Sequence, residues 1–159
     1  MDAWASFCEI VWAEDGQNKD EAAYDLVHKA RAVLGSATAK DRPIVDRRYP
    51  HADMMFDARA YPKGAWVLHM LRSELGDETF FGALHAYYLA CRGRSVVTTD
   101  FVAAVEQHSK QKLGWFFDQW LDRIGCPELK VARDAGPRDR KSTRLNSSHM
   151  VQSRMPSSA

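Results

Sequence analysis

Histidines and cysteines are the residues here that bind metals or act as bases and nucleophiles near neutral pH. The six histidines are His28, His51, His69, His85, His108 and His149. None belongs to a His-Glu-x-x-His segment, and no two stand four residues apart, the spacing that turns two imidazoles toward one metal. His69 and His85 fall inside helical patterns, where a hydrogen-bonded or half-exposed histidine is the expectation. The three cysteines, Cys8, Cys91 and Cys126, are widely spaced and odd in number, which argues against a disulfide framework or a cysteine zinc site. Cys8 and Cys91 lie on apolar helical stripes and are expected to be small buried side chains. There is no Gly-x-Ser-x-Gly elbow, no P-loop and no dinucleotide fingerprint. The chain holds no self-sufficient catalytic constellation.

One tyrosine stands apart. Tyr61 precedes Pro62-Lys63-Gly64-Ala65 and then Trp66-Val67-Leu68-His69-Met70-Leu71-Arg72. Proline suits the first position of a helix, so the spacing predicts Tyr61 in a loop just outside a helix start, with Gly64 leaving room beside it. A phenol so placed can donate a hydrogen bond to an oxyanion. Tyrosines at such places more often simply pack, and the residues alone leave both readings open.

The elements that must hold this tyrosine read almost entirely as helix. Trp4, Phe7 and Val11 recur at helical spacing over Asp2 to Glu14, and Gly16 stops the run. A second helix is predicted over Asp20 to Leu34, with Ala23, Leu26, Val27, Ala30 and Val33 facing inward. The stretch Ala39 to Phe56 has no clean period and carries Pro43 and Pro50, so it reads as an ordered excursion. A helix from Pro62 to Leu75 has Leu68, Leu71 and Leu75 in one stripe, widened by Trp66 and Met70. Gly76 ends it, and Asp77 can cap the next helix, which runs to about Cys91 and buries Phe80, Leu84, Tyr87 and Tyr88. Thr98 or Thr99 caps another, with Phe101, Val102 and Val105 inward. The last runs from about Leu113 to Ile124. Only Glu128 to Arg133 looks strand-like.

Composition sets the outer bounds. With 159 residues, 45% apolar and 27% charged, the chain fits one soluble domain with a real core. A net charge of +1 favours neither nucleic acid nor an anionic membrane. No apolar run approaches the roughly 20 residues of a membrane span, and the opening residues, with no basic segment followed by an apolar one, are not expected to be a signal peptide. Residues 142–159 hold six serines, no aromatic residue and no apolar period. Such a segment is expected to be disordered. Residues 141–149 also look like translated sequencing-adapter DNA, so everything after about Arg140 is read as non-native.

The N-terminal helix opens Asp2-Ala3-Trp4-Ala5-Ser6-Phe7. This pattern and Tyr61-Pro62-Lys63-Gly64-Ala65, about 60 residues on, together resemble the gluzincin zinc metallopeptidases of the aminopeptidase N and leukotriene hydrolase type, peptidase family M1. In that family a helix beginning with the third zinc ligand, a glutamate, follows the His-Glu-x-x-His helix. A later Tyr-x-Lys-Gly-Ala supplies a tyrosine that stabilises the tetrahedral intermediate. The likeness continues through Leu71-Arg72, Leu75-Gly76-Asp77, Phe80, Thr98-Thr99-Asp100-Phe101 and Phe116-Phe117-Asp118-Gln119-Trp120 to Gly125-Cys126-Pro127 and the residues after it.

The resemblance implies a mainly α fold: the helical C-terminal lobe of a thermolysin-like catalytic domain at residues 1–127. It further implies the start of a next, β-sandwich domain at 128–136, with 137–159 as tail. Tyr61 would be the catalytic tyrosine. Asp2 stands at the glutamate ligand's position, one methylene shorter; an ordinary acid at a helix N-terminus is an equal reading, as is a junction where the frame was cut. The His-Glu-x-x-His helix and the Gly-x-Met-Glu-Asn segment that binds the substrate's amino group are absent from the sequence. The expectation is therefore a fragment of a zinc aminopeptidase, inactive alone and not binding zinc tightly, whose intact form holds one zinc ion and acts on peptides alongside its remaining domains. Localisation stays unassigned, the true N-terminus being read as absent. A non-catalytic interaction module built on the aromatic stripe Trp115, Phe116, Phe117 and Trp120 is the competing reading, with core packing the simpler account of that stripe.

Overall fold

Phe7, Ile10 and Leu71 are each no more than 1% exposed, and the two helices that carry them pack against each other in the core. In a computed structural model of the chain, residues 2–16 and 18–126 are described, with the side chains of Asp2 and Ala52 outside that description. The longer helices are α1 (Asp2–Gly16), α2 (Lys19–Gly35), α4 (Gly64–Leu75), α5 (Asp77–Cys91) and α6 (Thr98–Ser109). Two short ones, α3 (Ala37–Asp41) and α7 (Gly114–Phe117), complete the set, and no strand occurs among the described residues. The residues through Gly125 form one compact unit. Of the other, Cys126–Ala159, only Cys126 is described; the strand expected at Glu128–Arg133 and the serine-rich tail lie outside the described residues.

Local chemistry accounts for the helix ends. Asn18 Oδ1 accepts from the Glu21 N–H at 2.8 Å, satisfying one of the donors left open at the start of α2. Ser36 closes α2 and its hydroxyl accepts from Ala39 N at 3.3 Å, starting α3, a turn that the sequence reading left as irregular chain. Gly76 ends α4 with φ 77°, a conformation that costs glycine little. Asp77 caps nothing. It sits in the first turn of α5 and accepts from Arg72 instead, at 2.7 Å. The Val97 N–H donates to the Asp100 carboxylate at 2.9 Å, so Asp100 rather than a threonine hydroxyl secures the start of α6.

Aromatic edges join the layers. Trp4 of α1 meets Phe101 of α6 at 5.4 Å between ring centres, Phe7 meets Phe80 of α5 at 5.4 Å, and Phe101 meets Phe117 of α7 at 6.0 Å. These are edge-to-face contacts, each worth about 0.5–1.5 kcal/mol beyond the area buried. Arg72 ties α1, α4 and α5 at the surface: it donates to Glu14 at 2.5 Å and to Asp77 at 2.7 Å, and its guanidinium lies 5.1 Å over the Phe81 ring.

Several sequence expectations need correcting. α2 buries Ala22 and Val33, while Val27 is 48% exposed, because polar ties set the helix's rotation. Lys29 reaches Glu9 of α1 at 2.8 Å, and the Trp66 indole donates to the Leu26 carbonyl at 3.0 Å. Tyr88 is 61% exposed, since the inward face of α5 runs through Phe80 and Ala83. Cys8 is exposed and Cys91 half-buried; Cys8 lies one position past Phe7, off the buried face of α1. The last helix is α only through Phe117 and widens into a π-turn at Asp118–Asp122, leaving Ile124 outside.

Candidate functional site

Tyr61 is not in a loop. It lies inside a π-turn, Arg59–Lys63, that runs without a break into α4. Pro62 is the reason for the wider turn. It has no N–H to give, and the Lys63 N–H reaches back five residues to the Ala58 carbonyl at 3.0 Å. A turn of that kind accommodates a proline that a regular helix interior would reject.

The turn is fixed from both sides by cations that point inward. Arg59 is 1% exposed. Its Nε donates to Asp57 Oδ2 at 2.7 Å, Nη1 to the Pro43 carbonyl at 3.1 Å and Nη2 to the Met54 carbonyl at 3.1 Å. Asp46 Oδ2 lies 3.5 Å from Nη1, close enough for an ion pair. Lys63 is also buried, and its Nζ donates to the carbonyls of Ala39 at 2.9 Å and Gly125 at 3.1 Å. Buried charges persist only when paired and hydrogen-bonded in this way. Together the two cations tie the irregular stretch 39–57 to the turn. Tyr61 itself is half-buried, its ring 6.5 Å from Phe56, and its N–H donates to the Asp57 carbonyl at 3.2 Å.

Gly64 does not leave room beside the phenol. The space where a Cβ would stand is filled by α1: it would lie 2.5 Å from Ala3 Cβ. That contact brings the N-terminal end of α1 against the start of α4, so the residue after Asp2 touches the third residue beyond Tyr61. Asp2 opens α1, and its side chain lies outside the described residues. Among the described residues no three His, Cys, Asp or Glu side chains gather where they could hold a metal ion. His69, within α4, is half-buried against the edge of Trp66, and its Nδ1 has no hydrogen-bond partner among the described residues.

Sequence reasoning passed over Arg59, Asp57 and the inward course of Lys63. A signal was present: Arg59 and Lys63 are four apart, on one side of a helical turn, with Tyr61 between them. The aromatic stripe that motivated an interaction module resolves into core, with Phe116 and Phe117 buried, Trp120 half-buried and Trp115 outside. No helix among the described residues is long and apolar enough to cross a membrane.

A family model described as the peptidase family M1 domain matches residues 1–120. Aminopeptidase M1-A of Oryza sativa subsp. japonica is 35% identical over 96 residues, 60% of this chain and 11% of that protein. Aminopeptidase N of Escherichia coli is 27% identical over 126 residues, 76% of this chain and 14% of its own length. Among solved structures, an M1 zinc metallopeptidase from Deinococcus radiodurans superposes with a TM-score of 0.64 at 27% identity, covering 85% of this chain and 29% of that one. A variant of that enzyme bound to a Tyr-Ser-Ala substrate superposes with a TM-score of 0.62 at 28% identity, over 80% of this chain and 28% of its own. The chain thus spans 11% and 14% of the two curated relatives' lengths.

Proposed function

The chain belongs to peptidase family M1, and from that premise we propose that it is the helical lobe of a zinc aminopeptidase's catalytic domain, with Tyr61 as the residue that stabilises the tetrahedral intermediate. The carrying observation is the packing of Ala3 on Gly64, which sets the end of α1 beside the Tyr61 turn. Arg59 and Lys63 hold the backbone turn that carries the phenol, and a donor held in place ahead of the reaction is where most of the benefit of oxyanion stabilisation arises. The substrate is a peptide cleaved at its N-terminal bond.

The residues of this chain do not make a zinc site by themselves. A catalytic zinc takes three protein ligands and an open position, and Asp2 is the one candidate here, standing where relatives of this type carry glutamate. Two further ligands and a general base must come from a His-Glu-x-x-His helix, which the sequence does not contain. The chain alone is therefore expected to be inactive. Metal analysis of the purified chain after dialysis against zinc tests this directly: stoichiometric, tightly held zinc with peptidase activity would overturn it. The complementary experiment places this chain in Escherichia coli aminopeptidase N in exchange for the matching segment. Hydrolysis of N-terminal residues by that hybrid is the expected result.

A further inference from the structure

Arg59 lies outside the Tyr-x-Lys-Gly-Ala stretch, and its side chain never reaches the surface. Its bonds nevertheless form a closed loop with Tyr61. Asp57 Oδ2 accepts from Arg59 Nε at 2.7 Å, Asp57 Oδ1 accepts from the Arg59 N–H at 2.8 Å, and the Asp57 carbonyl accepts from the Tyr61 N–H at 3.2 Å. One residue, Asp57, is thus held by Arg59 on its carboxylate and holds Tyr61 on its carbonyl. The same guanidinium donates to Met54 O at 3.1 Å, and so fixes the short 3-10 turn (Ala52–Met55) that leads into Phe56, the ring against which Tyr61 leans at 6.5 Å. Ala58, the residue before the π-turn, has no side chain that could cap it, and Asp57, held by the Arg59 fork, accepts from the turn's first N–H instead.

We propose that Arg59 is a positioning residue for Tyr61, setting the height and tilt of its phenol through Asp57 and Phe56. The inference rests on the proposed role of Tyr61. A guanidinium is suited to the task because it offers five donors in a rigid fork, whereas a lysine ammonium offers a point charge that cannot serve Asp57 and two carbonyls in that geometry. Displacing a catalytic group by about 1 Å costs on the order of 100-fold in rate.

The test is a double-mutant cycle in the Escherichia coli hybrid, measured well below the melting temperature of each variant. Arg59→Lys keeps the charge and is expected to lower kcat by roughly 10- to 100-fold with KM nearly unchanged. In the Tyr61→Phe background the same substitution is expected to cost nothing more, because the group it positions is gone; a purely structural role gives the same loss in both backgrounds and overturns the inference. If Tyr61→Phe leaves kcat unaltered, the reading of Tyr61 fails. If Tyr61→Phe lowers kcat but Arg59→Lys matches wild type, only the positioning role fails. A second measurement needs no activity. In the full chain, Arg59→Lys is expected to speed amide exchange at Ala60 and Tyr61 while leaving α5 and α6 as they were, and unchanged exchange at those two amides contradicts the proposal.

Discussion

Gly64 has φ −62°, an ordinary helical value, so its lack of a side chain is a matter of space and not of backbone freedom. Ala3 occupies the place of its Cβ. Gly64→Ala is therefore expected to push α1 off α4 and to destabilise the chain by about 1–3 kcal/mol, the usual cost of forcing a methyl into a filled contact. Denaturant unfolding checks it; a change within about 0.5 kcal/mol, typical of an exposed site, would show that the contact is not tight. Arg59 is the other residue on which the proposed site depends. Removing its charge with Arg59→Met leaves the Asp57 carboxylate and the Pro43 and Met54 carbonyls without their donor, while Asp46 keeps Arg42, and is expected to cost about 1–3 kcal/mol. Neither effect is visible from the local sequence. A charged residue is by default a surface residue, and Arg59 turns inward only because Pro43 and Met54 present carbonyls to it. Those acceptors become neighbours once the chain has folded. Tyr61, by contrast, is singled out by Tyr61-Pro62-Lys63-Gly64-Ala65 alone, and the structure corrects its setting, a π-turn in place of the expected loop.

At the scale of elements, the helices were legible where one apolar stripe was unambiguous. Leu68, Leu71 and Leu75 of α4 are all buried as their spacing predicts, and Gly16, Gly35 and Gly76 mark ends in both sequence and structure. α2 was misjudged because it offers more than one apolar face, and the choice fell to the Glu9–Lys29 pair and the Trp66–Leu26 hydrogen bond, which are tertiary facts. The π-turn was missed because a proline before a helix normally begins it. Arg72 links three of these elements, and Arg72→Met is expected to lower stability by about 1–2 kcal/mol, the range for hydrogen bonds to charged groups after discounting for partial exposure. Glu14→Gln should cost less, since Asp77 and the Phe81 ring still hold the guanidinium. Equal losses from the two substitutions in denaturant titrations would mean that the link to α1 carries the whole effect.

At the scale of the whole molecule, the fold is expected to weaken in acid, in two stages. Burial pushes the His69 imidazole below its ordinary value of 6.5, with the Arg72 charge adding to the shift and Glu14 opposing it. The unfolded chain then takes up that proton first, so stability falls as pH drops below about 6.5. The Arg48 N–H and the Arg42 guanidinium hold the Asp46 carboxyl below its ordinary 3.8, and Arg72 does the same for Asp77. Their contribution is present above that value and disappears as pH falls through the lowered ones. Stability measured against pH should lose its upper slope in His69→Leu and keep the lower one; an unchanged profile between pH 7 and 5 would remove His69 from the account. The proposed function turns on a single phenol. The most direct measurement is kcat for the Escherichia coli hybrid with and without Tyr61→Phe. A fall of about 100- to 1,000-fold with little change in KM is the result expected when an oxyanion donor is removed, and equal turnover would contradict the role assigned to Tyr61.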